Sequence, residues 1–256
     1  MENQKNIIAM RVATYEPFEA KAYAHIASLG LRHAEITVPA PDAIEATKAE
    51  LEKYGLVASS MHGECDVSRE DTAEQVAAQM PAFAALGCKI MFVSVARGEL
   101  AADVAYARLH AAGEVAKQHG VTIAMETHPD LITNADVAIE TLTGVNHPNV
   151  RMNFDTANLY FYNHDMDSVA ELRKVIDRVA SVHLKDTDGG YKLWHFPALG
   201  EGIVDFPGIF SVLDETGFAG PCTLEVEGFE GEEKTEELIL GRMAASVEYL
   251  RKLGRI

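Results

Sequence analysis

Apolar segments of two lengths alternate along the chain. A short apolar run, long enough for one buried strand, is followed each time by a longer amphipathic segment, and this pair recurs eight times. The predicted strands are 7–13, 33–38, 57–62, 90–95, 121–127, 150–155, 179–185 and 222–227, and the predicted helices lie near 18–29, 42–54, 70–86, 101–119, 134–143, 166–177, 206–216 and 234–253. Glycines such as Gly30, Gly55 and Gly217 follow several helices, where glycine ends a helix at low steric cost.

Strands that alternate with helices indicate a parallel sheet covered by helices. Eight such units in 256 residues favour an α/β fold, a single (β/α)8 (TIM) barrel domain over residues 1–256. An open doubly wound sheet is the alternative, but the chain contains neither of the glycine-rich phosphate motifs that often accompany it. The longest irregular segment, 186–205, follows the seventh predicted strand, and loops of that length are usually functional.

Polar side chains recur near the ends of the last four predicted strands. Because side chains alternate between the two faces of a strand, these residues lie opposite the apolar positions of the same strand. They are Glu126 on the fifth strand, Asp155 on the sixth, His183 with Lys185 on the seventh, and Glu225 or Glu227 on the eighth. The carboxyl ends of barrel strands meet at one mouth, so we expect these side chains to form one cluster.

A cluster of three carboxylates in a buried position requires a counter-charge, since like charges and burial both oppose ionisation. A lone carboxylate at a strand end is most often a helix cap, and a lone buried histidine is most often hydrogen-bonded in the core. The joint pattern on four adjacent strands instead favours one divalent metal ion. Three oxygens and one imidazole suit Mn²⁺, the favoured ion, and also Mg²⁺, Co²⁺ or Zn²⁺.

Composition limits the partners of the chain. A formal net charge of −17 disfavours nucleic acid and anionic membranes, and no apolar run approaches the roughly 20 residues that span a bilayer. The three cysteines form no C-x-x-C pair, and the first six residues are polar without an apolar signal region. We therefore expect a cytoplasmic protein with reduced thiols and a small-molecule partner. A homo-oligomer is compatible with the sequence, but no interface is evident.

Five segments resemble the xylose-isomerase-like TIM barrel superfamily, in particular its sugar phosphate isomerase/epimerase family. They are Met-Glu-Thr-His-Pro at 125–129, Asn-Phe-Asp-Thr-Ala-Asn at 153–158, Val-His-Leu-Lys-Asp at 182–186, and the segments 199–206 and 220–228. The resemblance implies one metal ion bound by Glu126, Asp155, His183 and Glu225. Glu225 is preferred to Glu227 because the family ligand follows a glycine, here Gly220, by five residues. The resemblance further implies that Glu126 and Glu225 serve as catalytic base and acid next to a substrate carbonyl.

Six residues are candidates for substrate binding: Lys185, His62, Glu35, Asn158, His128 and Trp194. For Lys185 the alternative is a salt bridge to a carboxylate such as Asp155 or Asp186, for His128 a packing role, and for Trp194 a role as a loop anchor. Asn158 stands where family epimerases commonly carry a histidine, and an amide cannot shuttle a proton. Since Arg11 and Lys185 are the only inward cations that the pattern identifies, we expect an unphosphorylated sugar or cyclic keto-polyol as substrate.

The predicted function is a metal-dependent isomerase or epimerase that removes a proton next to a carbonyl. A dehydratase of the keto-inositol or dehydroshikimate type is the main alternative, because it begins with the same proton abstraction and then expels a hydroxyl. The abasic-site endonuclease branch is disfavoured, since it requires three metals, more histidines and a basic face. A binding protein without catalytic activity is a further alternative.

Overall fold

Eight parallel strands close into a barrel in the computed structural model, which describes residues 6–256. The strands of the described chain are β1 (Ile7–Arg11), β2 (His33–Thr37), β3 (Val57–His62), β4 (Ile90–Val93), β5 (Thr122–Glu126), β6 (Val150–Asp155), β7 (Val179–Leu184), β8 (His195–Phe196), β9 (Pro221–Leu224) and β10 (Gly228–Phe229). The barrel runs from β1 to β7 and then β9, which pairs with β1 and closes the ring. The predicted TIM barrel is confirmed. The signal-region prediction falls mainly on residues 1–5, which lie outside the described residues.

Helices connect successive barrel strands and cover the outside of the sheet. They are α1 (Ala22–Ser28), α2 (Ile44–Lys53), α3 (Thr72–Leu86), α4 (Ala102–Gln118), α5 (Ala135–Val145), α6 (Asn158–Tyr162), α7 (Ser168–Val175), α8 (Phe206–Thr216) and α9 (Glu236–Lys252). The prediction for α8 was correct to the residue, because strong signals mark both ends. The Asp205 side chain accepts a hydrogen bond from the Gly208 N–H, and Gly217 ends the helix in a left-handed conformation. None of the helices between residues 6 and 256 is long and apolar enough to cross a bilayer.

Three of the differences from the predicted elements bear on the barrel mouth. The eighth barrel strand ends at Leu224, so Glu225 and Glu227 lie just beyond it. The short helix α6 follows β6 directly, because the Asp155 carboxylate accepts the backbone N–H groups of Ala157 and Asn158 at 2.8 Å each. The strands β8 and β10 form a small antiparallel sheet at the barrel mouth, and they are too short to produce a periodic pattern.

The loop 186–205 is organised by one buried carboxylate. Asp186 accepts backbone N–H groups from Thr187, Gly200, Gly202 and Val204, at distances between 2.8 and 3.2 Å. An added Cβ at Gly202 would lie 2.2 Å from the Thr187 carbonyl oxygen, so the loop packs too tightly there for a side chain. The loop is therefore an ordered wall of the barrel mouth, positioned directly after β7.

Candidate metal centre

Four consecutive barrel strands bring Glu126, Asp155, His183 and Glu225 to one point at the carboxyl end of the barrel. One ligand atom from each residue lies within 4.8 Å of the others, and all four side chains are buried. The strand register explains this convergence: Asp155 pairs with His183 across β6 and β7, and the Glu225 N–H donates to the Leu184 carbonyl at 3.0 Å. Glu227 does not belong to the cluster.

Three atoms of this cluster are buried without a hydrogen-bond partner among the described residues. They are Asp155 Oδ2, His183 Nδ1 and Glu225 Oε2. Buried polar atoms are normally paired, so a set of unpaired atoms facing one another requires an explanation. His183 Nδ1 lies 2.6 Å from Glu225 Oε2, which is ion-pair distance without hydrogen-bond geometry, and 3.9 Å from Asp155 Oδ2. A divalent metal ion would satisfy all three, and the buried Glu, Asp and His side chains can hold one.

The second ring nitrogen of His183 is held by a carboxylate. His183 Nε2 lies 3.1 Å from Glu35 Oε2, which also accepts a hydrogen bond from the Ser60 hydroxyl at 2.7 Å. Metal-binding histidines characteristically donate their other N–H to such a carboxylate, which fixes the ring and directs the free nitrogen at the ion. Glu35, predicted as a substrate contact, is thus placed behind His183, and its contact with substrate stays a prediction.

Each carboxylate of the cluster has its second oxygen bound to a donor. Arg11 Nη1 donates to Glu225 Oε1 at 2.6 Å, and the Ser94 hydroxyl donates to Glu126 Oε2. The Asp155 Oδ1 atom accepts the two backbone N–H groups at the start of α6. Arg11 also lies 3.7 Å from Glu35 and 5.0 Å from the Phe92 ring centroid. It is a largely but not fully buried cation, with its side chain 14% exposed, between two carboxylates.

The protonation of the cluster follows from burial and neighbouring charge. Burial raises the pKa of Asp155 to about 7, although the Lys185 ammonium opposes the shift. Burial lowers the pKa of His183, but the Glu35 and Glu225 carboxylates outweigh it and hold this pKa well above its ordinary value. Burial raises the pKa of Glu225, but Arg11, Lys185 and His183 outweigh it and hold this pKa well below the ordinary value. Without metal, a histidinium therefore supplies the counter-charge.

Lys185 and Asn158 form a polar chain beside the cluster. The buried Lys185 ammonium pairs with the Glu227 carboxylate, donates to Asn158 Oδ1 at 3.2 Å, and lies 4.2 Å from the Phe196 ring centroid. The salt-bridge partner is thus Glu227, and the alternative partners Asp155 and Asp186 are wrong. Asn158 Nδ2 in turn approaches Glu126 Oε1 at 3.4 Å. The two carboxylates that follow the eighth barrel strand therefore have different partners: Glu225 belongs to the cluster and Glu227 pairs with Lys185.

The remaining predicted substrate residues contact aromatic rings. The His62 ring centroid lies 4.9 Å from that of Phe92, and the Phe92 centroid lies 4.5 Å from that of His183. His128 packs at 4.9 Å from Tyr162 and bonds the Pro129 carbonyl, while the half-exposed Trp194 packs edge-on against Phe196 at 5.1 Å. These contacts leave their substrate roles as predictions.

Ser94 and Arg11 were not among the predicted site residues. Both follow the inward parity of their strands, Ser94 two residues after Phe92 and Arg11 two residues after Ala9. That parity was the available signal for both. A single serine at a strand end carries no distinct chemical pattern, so the sequence does not single out Ser94.

The chain matches the sequence profile described as xylose isomerase-like TIM barrel over residues 23–253, and it belongs to that family. It is 30% identical over 131 residues to the L-ribulose-5-phosphate 3-epimerase UlaE of Shigella boydii serotype 18, covering 50% of this chain and 44% of that enzyme. It is 25% identical over 130 residues to an inosose dehydratase of Erwinia tasmaniensis, covering 44% of each. The chain thus spans less than half the length of these curated relatives.

Solved structures share the whole fold at lower sequence identity. A xylose isomerase domain protein from Planctomyces limnophilus superposes with a TM-score of 0.77 at 20% identity, covering 99% of this chain and 98% of that one. A D-allulose 3-epimerase from Methylomonas sp., in complex with D-allulose, superposes with a TM-score of 0.72 at 20% identity, covering 97% of each chain. At these identities the similarity establishes the barrel fold.

Proposed function

We propose that this chain is a divalent-metal-dependent epimerase or isomerase that moves a proton next to the carbonyl of an unphosphorylated sugar or cyclic keto-polyol. The observation that carries the proposal is the buried cluster at the barrel mouth, in which three unpaired atoms face one another. The partial similarity to an L-ribulose-5-phosphate 3-epimerase supports the same reaction type. The proposed ligands are Glu126, Asp155, His183 and Glu225, with Mn²⁺ as the favoured ion.

In this proposal the chain itself supplies the proton transfer. A bound divalent ion would polarise the substrate carbonyl and acidify the adjacent C–H. Epimerisation needs one group to remove a proton and a second to return it to the other face of the carbon. Glu126 and Glu225 are proposed for these two steps. The Lys185 ammonium is the proposed donor to a substrate oxygen, and the aromatic pair Trp194 and Phe196 would exclude water on that side.

The preference for an unphosphorylated substrate rests on the charges around the cluster. Arg11 and Lys185 are the cations that contact this region of residues 6–256, and each already pairs with a carboxylate. A phosphate dianion near them would meet Glu35 and Glu227 without an unpaired cation to compensate. This argues against a phosphate pocket, although one relative is named for a phosphorylated substrate, L-ribulose 5-phosphate.

Turnover of paired substrates tests this proposal. With Mn²⁺ added, L-ribulose and L-ribulose 5-phosphate would be compared with other free ketoses and with cyclic keto-polyols. We expect a free sugar or keto-polyol to exceed the phosphate ester in kcat/KM by at least about tenfold, roughly 1.4 kcal/mol. A phosphate ester that is preferred over every free sugar would overturn the unphosphorylated assignment while leaving the epimerase chemistry in place.

A dehydratase is the second candidate, and two observations favour it. Asn158 occupies the position where family epimerases commonly have a histidine, and the chain is partly similar to an inosose dehydratase. Reaction in D₂O separates the two candidates. An epimerase incorporates deuterium into an unchanged carbon skeleton, whereas a dehydratase releases water and yields an unsaturated or deoxy product. If neither reaction occurs with any ketose or keto-polyol, a binding protein without catalytic activity is favoured.

We further propose a cytoplasmic location, a single domain, and no nucleic-acid or membrane partner. Cys65, Cys88 and Cys222 are buried free thiols, which suits a reducing compartment. The net charge of −17 disfavours polyanionic partners. A homo-oligomer is compatible with this proposal, and size-exclusion chromatography with light scattering would measure the oligomeric state.

A further inference from the structure

All three carboxylates of the cluster share one arrangement: one oxygen faces the other cluster atoms and the second oxygen is bound to a donor. For Asp155 the donors are backbone N–H groups at the start of α6, so this part is built into the fold. For Glu225 and Glu126 the donors are side chains, Arg11 and Ser94. We infer that Arg11 and Ser94 are positioning residues that restrict Glu225 and Glu126 to one metal-facing oxygen each. The inference rests on the proposed metal centre.

The evidence for a positioning role is stronger for Arg11 than for Ser94. Its Nη1 atom lies 2.6 Å from Glu225 Oε1, while Glu225 Oε2 is buried without a hydrogen-bond partner among residues 6–256 and faces His183 Nδ1. A charge-assisted hydrogen bond of this length holds the carboxylate plane in one orientation. The guanidinium is itself fixed by the Phe92 ring and by Glu35. Glu225 therefore presents a single oxygen to an ion.

Ser94 holds one oxygen of Glu126 in the same way, from the end of the neighbouring strand β4. Its hydroxyl donates to Glu126 Oε2, whereas Oε1 lies 3.7 Å from His183 Nδ1, faces the cluster and accepts only a long hydrogen bond, 3.4 Å, from Asn158 Nδ2. Ser94 follows β4 directly, and β4 pairs with β5 in parallel, which brings the two side chains together. The hydroxyl can donate to only one acceptor at a time, so it selects one oxygen of the pair.

The consequence concerns how many positions around the ion stay open for substrate. Four residues that each give one atom fill four positions of the octahedral shell that Mn²⁺ prefers, and two remain. Two adjacent substrate oxygens, a carbonyl and its neighbouring hydroxyl, can occupy those two positions. If both glutamates chelated with both oxygens, the shell would be full and substrate would be excluded.

The experiment counts the exchangeable water molecules on bound Mn²⁺, in the absence of substrate, by water-proton relaxation. Wild-type protein is compared with Arg11→Met, which removes the donor, and with Arg11→Lys, which keeps a charged donor. Arg255→Met is the matched control, because Arg255 pairs with Asp214 and stacks on Phe210 outside the metal centre. Ser94→Ala is compared with Ser211→Ala, whose hydroxyl donates to the exposed Glu215.

We expect two exchangeable waters in the wild type and in both controls, and one in Arg11→Met and in Ser94→Ala. Mn²⁺ affinity should fall less than tenfold in these two variants, while kcat/KM with the preferred substrate falls at least tenfold. Arg11→Lys should recover the second water.

Unchanged water numbers in both Arg11→Met and Ser94→Ala would overturn the inference, and so would loss of the second water in Arg11→Lys. If Arg11→Met does not fold, Ser94→Ala and Arg11→Lys decide the question. Wild-type protein that binds no Mn²⁺ would instead overturn the proposed metal centre.

Discussion

Asp155 and His183 both deviate from the protonation state that a metal ligand needs, and in the same direction. A ligand must be deprotonated at the coordinating atom, yet burial raises the Asp155 pKa to about 7 and the surrounding carboxylates raise the His183 pKa well above its ordinary value. Both groups must therefore release protons when a metal binds near neutral pH. The metal and the proton compete for the same two atoms.

We expect Mn²⁺ affinity to rise with pH between 6 and 8. Below pH 7 the proton on Asp155 competes with the metal and lowers affinity by up to about tenfold per pH unit, and the proton on His183 adds to this at every pH below its raised pKa. Calorimetric titration in buffers of different ionisation enthalpy measures both the affinity and the protons released. An affinity independent of pH, with no proton release, would contradict the assignment of these two residues as ligands.

Replacement of Glu126 by glutamine should separate binding from catalysis. The amide oxygen can still face the ion, but the amide cannot accept a proton, so we expect turnover to fall by roughly 10²–10⁴-fold. Mn²⁺ binding should weaken far less than turnover. Glu140→Gln on the exposed side of α5 is the control for expression and folding. A variant that keeps near wild-type turnover would remove Glu126 from the proposed acid–base pair.

The strand pattern predicted which side chains face the barrel interior, because alternation is a property of the backbone. It therefore indicated Glu126, Asp155, His183 and a strand-eight glutamate together. It could not indicate that Arg11 bonds Glu225 or that Glu35 stands behind His183, because those contacts cross the barrel between β1, β2 and the last strands. Contacts of that kind depend on side-chain conformations and on the strand register.

At the scale of elements, long periodic segments were predictable and short ones were not. Seventeen-residue helices such as α4 and α9 show several turns of amphipathic pattern, whereas α6 has five residues and β8 and β10 have two each. The short elements are held by tertiary contacts. The loop 186–205 was recognised by its length, but its dependence on Asp186 required the fold.

Asp186→Asn should loosen this loop without moving the barrel. The buried carboxylate accepts four backbone N–H groups, and an amide nitrogen in place of one oxygen would confront donors that it cannot satisfy. We expect a loss of about 2–3 kcal/mol in the free energy of unfolding and faster amide exchange at Gly200 and Gly202. Urea denaturation and hydrogen exchange measure the two effects.

The control for this variant is Asp188→Asn in the same loop. Asp188 is exposed and accepts a single N–H, that of Gly190, so its replacement should change the free energy of unfolding by less than about 1 kcal/mol. Equal effects of the two substitutions would mean that the four N–H contacts of Asp186 contribute no more to stability than the single one of Asp188. Substrate KM should rise in Asp186→Asn, since Lys185 immediately precedes it.

At the scale of the whole molecule, the metal centre connects side chains from all around the barrel. Its four proposed ligands come from the fifth to eighth barrel strands. The side chains that hold these ligands extend the network to β1, β2, β3 and the end of β4 through Arg11, Glu35, Ser60 and Ser94. A ligand that binds only the folded barrel stabilises it by mass action. The barrel as a whole, rather than one segment, should therefore respond to the metal.

We expect added Mn²⁺ to raise the melting temperature of the intact chain. At a free concentration of 100 times Kd the stabilisation is about 2.7 kcal/mol, which corresponds to roughly 5–11 °C for a chain of this size. Asp155→Asn removes a ligand charge and should abolish most of the shift, whereas Asp136→Asn on the exposed start of α5 should preserve it. Calorimetry after EDTA treatment and again after Mn²⁺ addition measures the shift for each protein. A shift of equal size in Asp155→Asn would mean that Mn²⁺ stabilises the chain from a site other than the barrel mouth.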